Sequence, residues 1–250
     1  MERVSVTGPR RHFLIADEHV VFAEALKALL EQTYSVIGLV ADGRAMVSEA
    51  IRLRPDVIIT GIGMPLLNGL DAARRISGQA PTVKFIFLTM HDDPNLAAAA
   101  LELGPIAYVL KHSGAAELRK AIEHVLHGKS YLTPKLRAED WFAAKARARQ
   151  LSKELTPRQR EVVQLYAEGQ GVKQIAGLLN LSEKTVEFHK HNVMQLFNLK
   201  TNADLVLFAL KHGLISTSNH LSENRAHGRN DFITPDQIIG NYPQSLRLHA

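Results

Sequence analysis

The hydrophobic positions of this 250-residue chain change period partway along its length. In the first half, short apolar runs fall at 12–16, 35–40, 57–60, 85–88 and 106–110. They are rich in Val, Ile, Leu and Phe, as strands buried on both faces are. Between them lie stretches of helical spacing, at 19–31, 44–53, 69–77, 95–103 and 114–127. Leu26, Leu29 and Leu30 give the first of these a core stripe. Gly104-Pro105 and Gly128 stop two others. Five strand–helix repeats predict a five-stranded parallel sheet, a (βα)5 unit with helices on both faces.

The pattern breaks at 129–151, where Pro134-Lys135-Leu136 opens a stretch rich in Ala, Arg and Lys whose only large apolar pair is Trp141-Phe142. It reads as a partly helical linker. From 152 the periodicity is helical throughout, with helices at 157–168, 172–179, 183–197 and 202–212. Thr156-Pro157-Arg158-Gln159 reads as a capped start, with Thr as N-cap, Pro next and Gln at the third position. Asn180 suits a left-handed cap and Ser182 the next N-cap. The segments are therefore 8–128, 129–151, an all-α four-helix domain at 152–216, and a polar tail at 217–250 to which no role is assigned.

Charge changes the picture modestly. The chain carries +5, but residues 1–127 sum to −1, 128–151 to +4, 152–216 to +2 and 217–250 to zero. A polyanion partner is therefore expected for the second half rather than the first. The absence of cysteine excludes disulfides, thiolate metal sites and cysteine nucleophiles. No run is apolar enough to span a bilayer, and the start lacks a signal-peptide core, so a cytoplasmic protein without a membrane partner is expected.

Two helices joined by a tight turn near 180 suggest a helix-turn-helix. On the second, Val186, Val193 and Leu196 are expected in the core, and Lys184, Glu187, Phe188 and His191 outside. In a major groove, Lys184 and Lys190 would approach phosphates, Glu187 would accept from a cytosine amino group, and Phe188 would meet a thymine methyl. A helical protein-interaction domain with a solvated face fits the same periodicity. More specific is the run Leu155-Thr156-Pro157-Arg158-Gln159-Arg160-Glu161-Val162, then Ile175-Ala176, Leu179-Asn180-Leu181-Ser182 and Thr185-Val186-Glu187. It resembles the LuxR/GerE-type DNA-binding domain. The resemblance implies that 183–197, with Thr185, contacts double-stranded promoter DNA, that Lys200 and Thr201 touch its backbone, and that the last helix forms a homodimer.

In the first half, Asp17-Glu18 follow the first strand, Thr89 ends the fourth and Lys111 follows the fifth. The carboxyl ends of parallel strands form the ligand crevice. Acids there suit a hard cation, and a hydroxyl with an ammonium suits phosphoryl handling. Singly, each residue also fits a polar strand end. As a set with Met64-Pro65, Asn68-Gly69 and Ala107-Tyr108, they resemble a receiver domain of the NarL/FixJ response regulators, whose fold is CheY-like and flavodoxin-like. The resemblance makes Tyr108 the switch aromatic and implies a two-component system with a sensor kinase.

One position departs. The family's phosphoacceptor Asp lies four residues before the Pro of Met-Pro, and here that residue is Gly61. Glycine supplies neither nucleophile nor metal ligand. Thr60 is expected on the opposite face, and Asp56 at the far end of the strand. The reading is a degenerate receiver without a cofactor, with at most weak Mg2+ binding at Asp17 and Glu18. Lys111 is expected to pair with one of those acids and hold a single conformation. Input would come from abundance, a partner protein or a small ligand. A conventional phosphorelay regulator with an unidentified acceptor stays open as an alternative. No enzyme signature appears: Gly61-Ile62-Gly63 lacks the third glycine of a dinucleotide loop, and the twelve histidines read as surface residues.

Overall fold

The computed structural model describes residues 10–137 and 155–215. The first segment is a parallel sheet of β1 (His12–Ala16), β2 (Ser35–Val40), β3 (Val57–Thr60), β4 (Lys84–Thr89), β5 (Ile106–Leu110) and β6 (Tyr131–Leu132), in the order β2-β1-β3-β4-β5-β6. Alternation along each strand fills two cores. Leu14, Ile58, Phe85, Phe87 and Tyr108 face one layer, with α2 (Gly43–Leu53), α3 (Gly69–Gln79) and α4 (Pro94–Leu101). Phe13, Ile15, Ile59, Ile86 and Val109 face the other, with α1 (Val20–Leu30) and α5 (Ala115–Leu126).

The sheet has six strands, not the five expected. β6 is two residues long, too short to show a period, and lies in the stretch read as linker. Tyr131 and Leu132 pair with Ala107 and Tyr108, and Thr133 Oγ1 accepts from Leu110 N at 3.3 Å. The short strand covers the edge of β5, which would otherwise expose unpaired backbone. A 3-10 turn, Pro134–Arg137, follows and buries Leu136 in the α2–α4 layer. The linker's Trp141-Phe142 and the tail at 217–250 lie outside the described residues.

The second segment holds α6 (Pro157–Ala167), α7 (Val172–Leu179), α8 (Glu183–Leu196) and α9 (Asn202–Lys211). Thr156 caps α6 reciprocally with Gln159. Asn180 is left-handed at φ 52°, and Ser182 Oγ accepts from Thr185 N at 3.1 Å, so the tight turn forms as its residues dictate. Helix boundaries fall within about two residues of expectation, ordinary fraying for helix ends. Leu196 corrects one expectation: it is 54% exposed while Val186 and Val193 are fully buried. Ten residues after Val186, it has rotated about 80° off that stripe at roughly 100° per residue.

Candidate functional site

Asp17, Gly61, Thr89 and Lys111 stand at the carboxyl ends of β1, β3, β4 and β5, so the parallel topology brings them to one crevice. Lys111 Nζ donates to Asp17 Oδ2 at 2.7 Å and to Oδ1 at 2.9 Å. Asp17 Oδ1 also accepts from His19 N, and His19 Nδ1 lies 3.0 Å away. The ring of Phe22 sits 4.6 Å from Lys111 Nζ, a cation–π contact. Glu18 reaches His19, Oε1 standing 3.9 Å from Nδ1. The buried Asp17 carboxylate thus has an ammonium against both oxygens. A divalent cation would have to displace that ammonium, and Gly61 offers it no ligand, so these residues do not fit the receiver metal. Thr60 donates to Gly61 O at 2.8 Å in the interior, and Asp56 pairs with Arg11 at 2.9 Å at the other end of β3. Neither side chain is directed at Asp17 or Lys111 by these bonds.

Thr89 and Tyr108 are tied to the next loop. Thr89 Oγ1 accepts from His91 N at 3.1 Å, and the buried Tyr108 hydroxyl donates to His91 O at 2.9 Å. Burial pushes the Tyr108 phenol well up, helped by Asp93 and Asp92. Burial also holds the His91 imidazole below its ordinary value, against Asp93 and Asp92, with Lys111 adding to the depression. The unfolded chain therefore takes up this proton first. Stability from His91 is full above its ordinary value, about 6.5, and is lost as pH falls below it toward the depressed folded value. Urea unfolding at a series of pH values is expected to show this loss, and His91→Asn to flatten it.

The loop after Gly61 is held by the helical domain, an arrangement the sequence reading missed. Fully buried Gln164 on α6 donates through Nε2 to Met64 O at 2.9 Å and accepts at Oε1 from Asn68 N at 2.8 Å. Arg160 Nε donates to both oxygens of buried Asp71, at 2.9 and 3.1 Å. Arg75 pairs with buried Glu161, and Arg44 Nη1 donates to Leu178 O at 2.8 Å on α7. Leu66 is left-handed at φ 63°, a strained conformation for a residue with a Cβ. Glu168 takes its N–H at 3.2 Å, and its side chain packs on the α6–α7 core. Gln164 is a polar residue inside the apolar run Val162-Val163-Gln164-Leu165, the one sequence signal that could have exposed this contact.

These contacts use α6 and α7 and leave the outer face of α8 open. Lys184, Glu187, Phe188 and His191 are exposed, Phe188 at 60%. Thr185 and Lys190 are half-buried. Thr185 Oγ1 lies 2.8 Å from Ser182 Oγ, so it also serves the cap. Lys200 and Thr201 are exposed, and Thr201 caps α9 by accepting from Asp204 N at 3.1 Å. His124 and His127 are 2.7 Å from the carbonyls of Lys120 and Glu123 at the end of α5.

Comparison with known proteins agrees with both halves. The family model described as response regulator receiver domain matches residues 13–123, and that of the bacterial regulatory proteins of the luxR family matches 153–209. The chain is 34% identical over 213 residues to the oxygen regulatory protein NreC of Staphylococcus epidermidis, covering 81% of this chain and 98% of the relative. It is 31% identical over 221 residues to the transcriptional regulatory protein DegU of Brevibacillus brevis, covering 81% and 94%. A structure of the RcsB response regulator of Salmonella typhimurium matches at 27% identity and TM-score 0.57, covering 80% of this chain and 97% of that one. RcsB of Salmonella enterica serovar Typhimurium bound to promoter rprA in the presence of phosphomimetic BeF3- matches at 27% and 0.56, covering 80% and 98%. On this evidence the chain belongs to the LuxR-family response regulators of the NarL/FixJ type, DNA-binding regulators of transcription in which a receiver domain precedes a helix-turn-helix domain.

Proposed function

We propose that this chain is a cytoplasmic regulator that binds pseudo-palindromic promoter DNA as a homodimer through α8 and does so without aspartyl phosphorylation. The observation that carries the second part is the ion pair beside Gly61: both oxygens of the Asp17 carboxylate hold Lys111, and Gly61 stands next to it without a side chain. A phosphorelay needs a carboxylate oxygen as acceptor, and a switch needs two arrangements of comparable energy. Here the ammonium already neutralises the acid, and the loop after Gly61 is clamped by Gln164. Input then acts through the amount of protein, a partner protein or a small ligand at the receiver rather than through a sensor kinase.

The DNA reading is supported by the exposed side chains of α8 and by the promoter complex of the related RcsB. Lys184 and Lys190 would neutralise phosphates, Glu187 and Phe188 would read base edges, and Lys200 and Thr201 would hold the flanking backbone. Titration at several salt concentrations tests it. Affinity is expected to fall steeply as salt rises, and Lys184→Ala to reduce the log–log slope by about 1 while weakening all sequences alike. Binding insensitive to salt would point instead to a helical domain that docks a protein.

A further inference from the structure

Tyr166 stands on α6, beside the recognition helix rather than on it. Its hydroxyl donates to Glu187 Oε1 at 2.8 Å. Its ring lies under Lys190, whose Nζ is 4.2 Å from the ring centroid. Glu187 and Lys190 are three apart and so share one face of α8. A single half-buried aromatic therefore grips two of the side chains assigned to DNA, one through its polar tip and one through its π-face. The ring itself packs against the cores on both sides of α6, which fixes its position.

We infer that Tyr166 is a positioning residue for base readout: it holds the Glu187 carboxylate as a ready acceptor for a cytosine amino group and steadies Lys190 beside it. The inference rests on the DNA reading above. An ionised carboxylate has about four acceptor sites, and the phenol uses one, so acceptor capacity remains for a base. The phenol does more than fix a rotamer. A loose Glu side chain next to a phosphate backbone samples repulsive arrangements, whereas a tethered one meets the base without first losing that freedom. Burial, then the bond to Glu187, push the Tyr166 phenol far up, so it stays a donor at any pH at which DNA is bound.

The test uses the full-length protein on operator DNA that it selects from a random pool. Binding is measured on that operator, on versions with each base pair changed in turn, and on unrelated DNA. Tyr166→Phe keeps the ring and removes only the hydroxyl. It is expected to lose about fivefold of the discrimination at one G·C pair, at unchanged affinity for unrelated DNA. Glu187→Gln should lose discrimination at the same pair, and the double variant should lose no more than either. Tyr166→Leu, which also removes the ring from Lys190, should in addition flatten the salt slope. Full discrimination in Tyr166→Phe, or losses that simply multiply in the double variant, would overturn the inference while leaving DNA binding intact. A wild-type protein that enriches no operator would overturn the DNA reading itself, and the inference with it.

Discussion

Gly69→Ala is expected to destabilise the protein by about 3 kcal/mol or more, at the upper end of what an added core methyl does. A Cβ there would lie 1.9 Å from Gly61 O and 3.0 Å from Thr60 Oγ1. The first of these is backbone, so no side chain can turn aside. Gly69 N also donates to Ile62 O at 2.7 Å, which sets the start of α3 directly on the crevice loop. Gly78, exposed in the same helix, has nothing within 4 Å of an added Cβ. Gly78→Ala should therefore stabilise slightly, by about 0.5–1 kcal/mol. Urea unfolding of the pair checks the argument. A Gly69→Ala variant with the wild-type midpoint would mean that α3 does not start against Gly61.

The second large effect is expected at the contact between the two domains. Arg160→Met removes both hydrogen bonds to Asp71 and one to Leu155 O. Breaking a buried ion pair costs about 3–5 kcal/mol, because the remaining charge is left uncompensated. Asp71 keeps Arg74 and Asn68, so the expected loss is smaller, about 2 kcal/mol. It should be read as a loss of cooperativity as well. Wild-type protein should unfold in one transition, and Arg160→Met should let the helical domain and the receiver melt apart. Combined with Asp71→Asn, the loss should fall short of the sum of the two singles. Additive losses, with a single transition retained, would contradict the coupling.

The elements themselves were legible because each obeys a local rule. Ile58 and Ile59 lie in an apolar run that only a two-faced strand can bury. Thr156-Pro157-Arg158-Gln159 spells a capped helix start, and it is one. The convergence of Asp17, Thr89 and Lys111 also followed, since parallel strands put all their carboxyl ends on one edge. What escaped was decided between distant segments. β6 is two residues long and pairs along the edge of β5. His19 and Phe22, which help to hold Asp17 and Lys111, carry no spacing signal of their own. Arg160 and Glu161 stood in the sequence only as part of the run that resembles a LuxR/GerE domain, yet they meet Asp71 and Arg75 some 86 to 89 residues earlier in the chain. Leu196 shows the reverse error, an apolar residue placed in a core from which the helix had already turned away.

The glycine at position 61 is the residue on which the proposed phosphate independence rests, and it leaves a space that can be filled. A Cβ on Gly61 would meet nothing nearer than Met64 Cγ at 3.7 Å and Asp17 Oδ2 at 3.9 Å. Gly61→Asp should therefore fold, and with acetyl phosphate and Mg2+ it should take up radiolabelled phosphoryl groups. It serves as the positive control for the decisive measurement. Full-length wild-type protein is titrated onto its selected operator at fixed salt, with and without acetyl phosphate and Mg2+. Equal binding in both conditions is expected, with no label on the wild-type chain. A clear gain in wild-type affinity with the phosphodonor, accompanied by label, would contradict it and would place an acceptor elsewhere in the receiver.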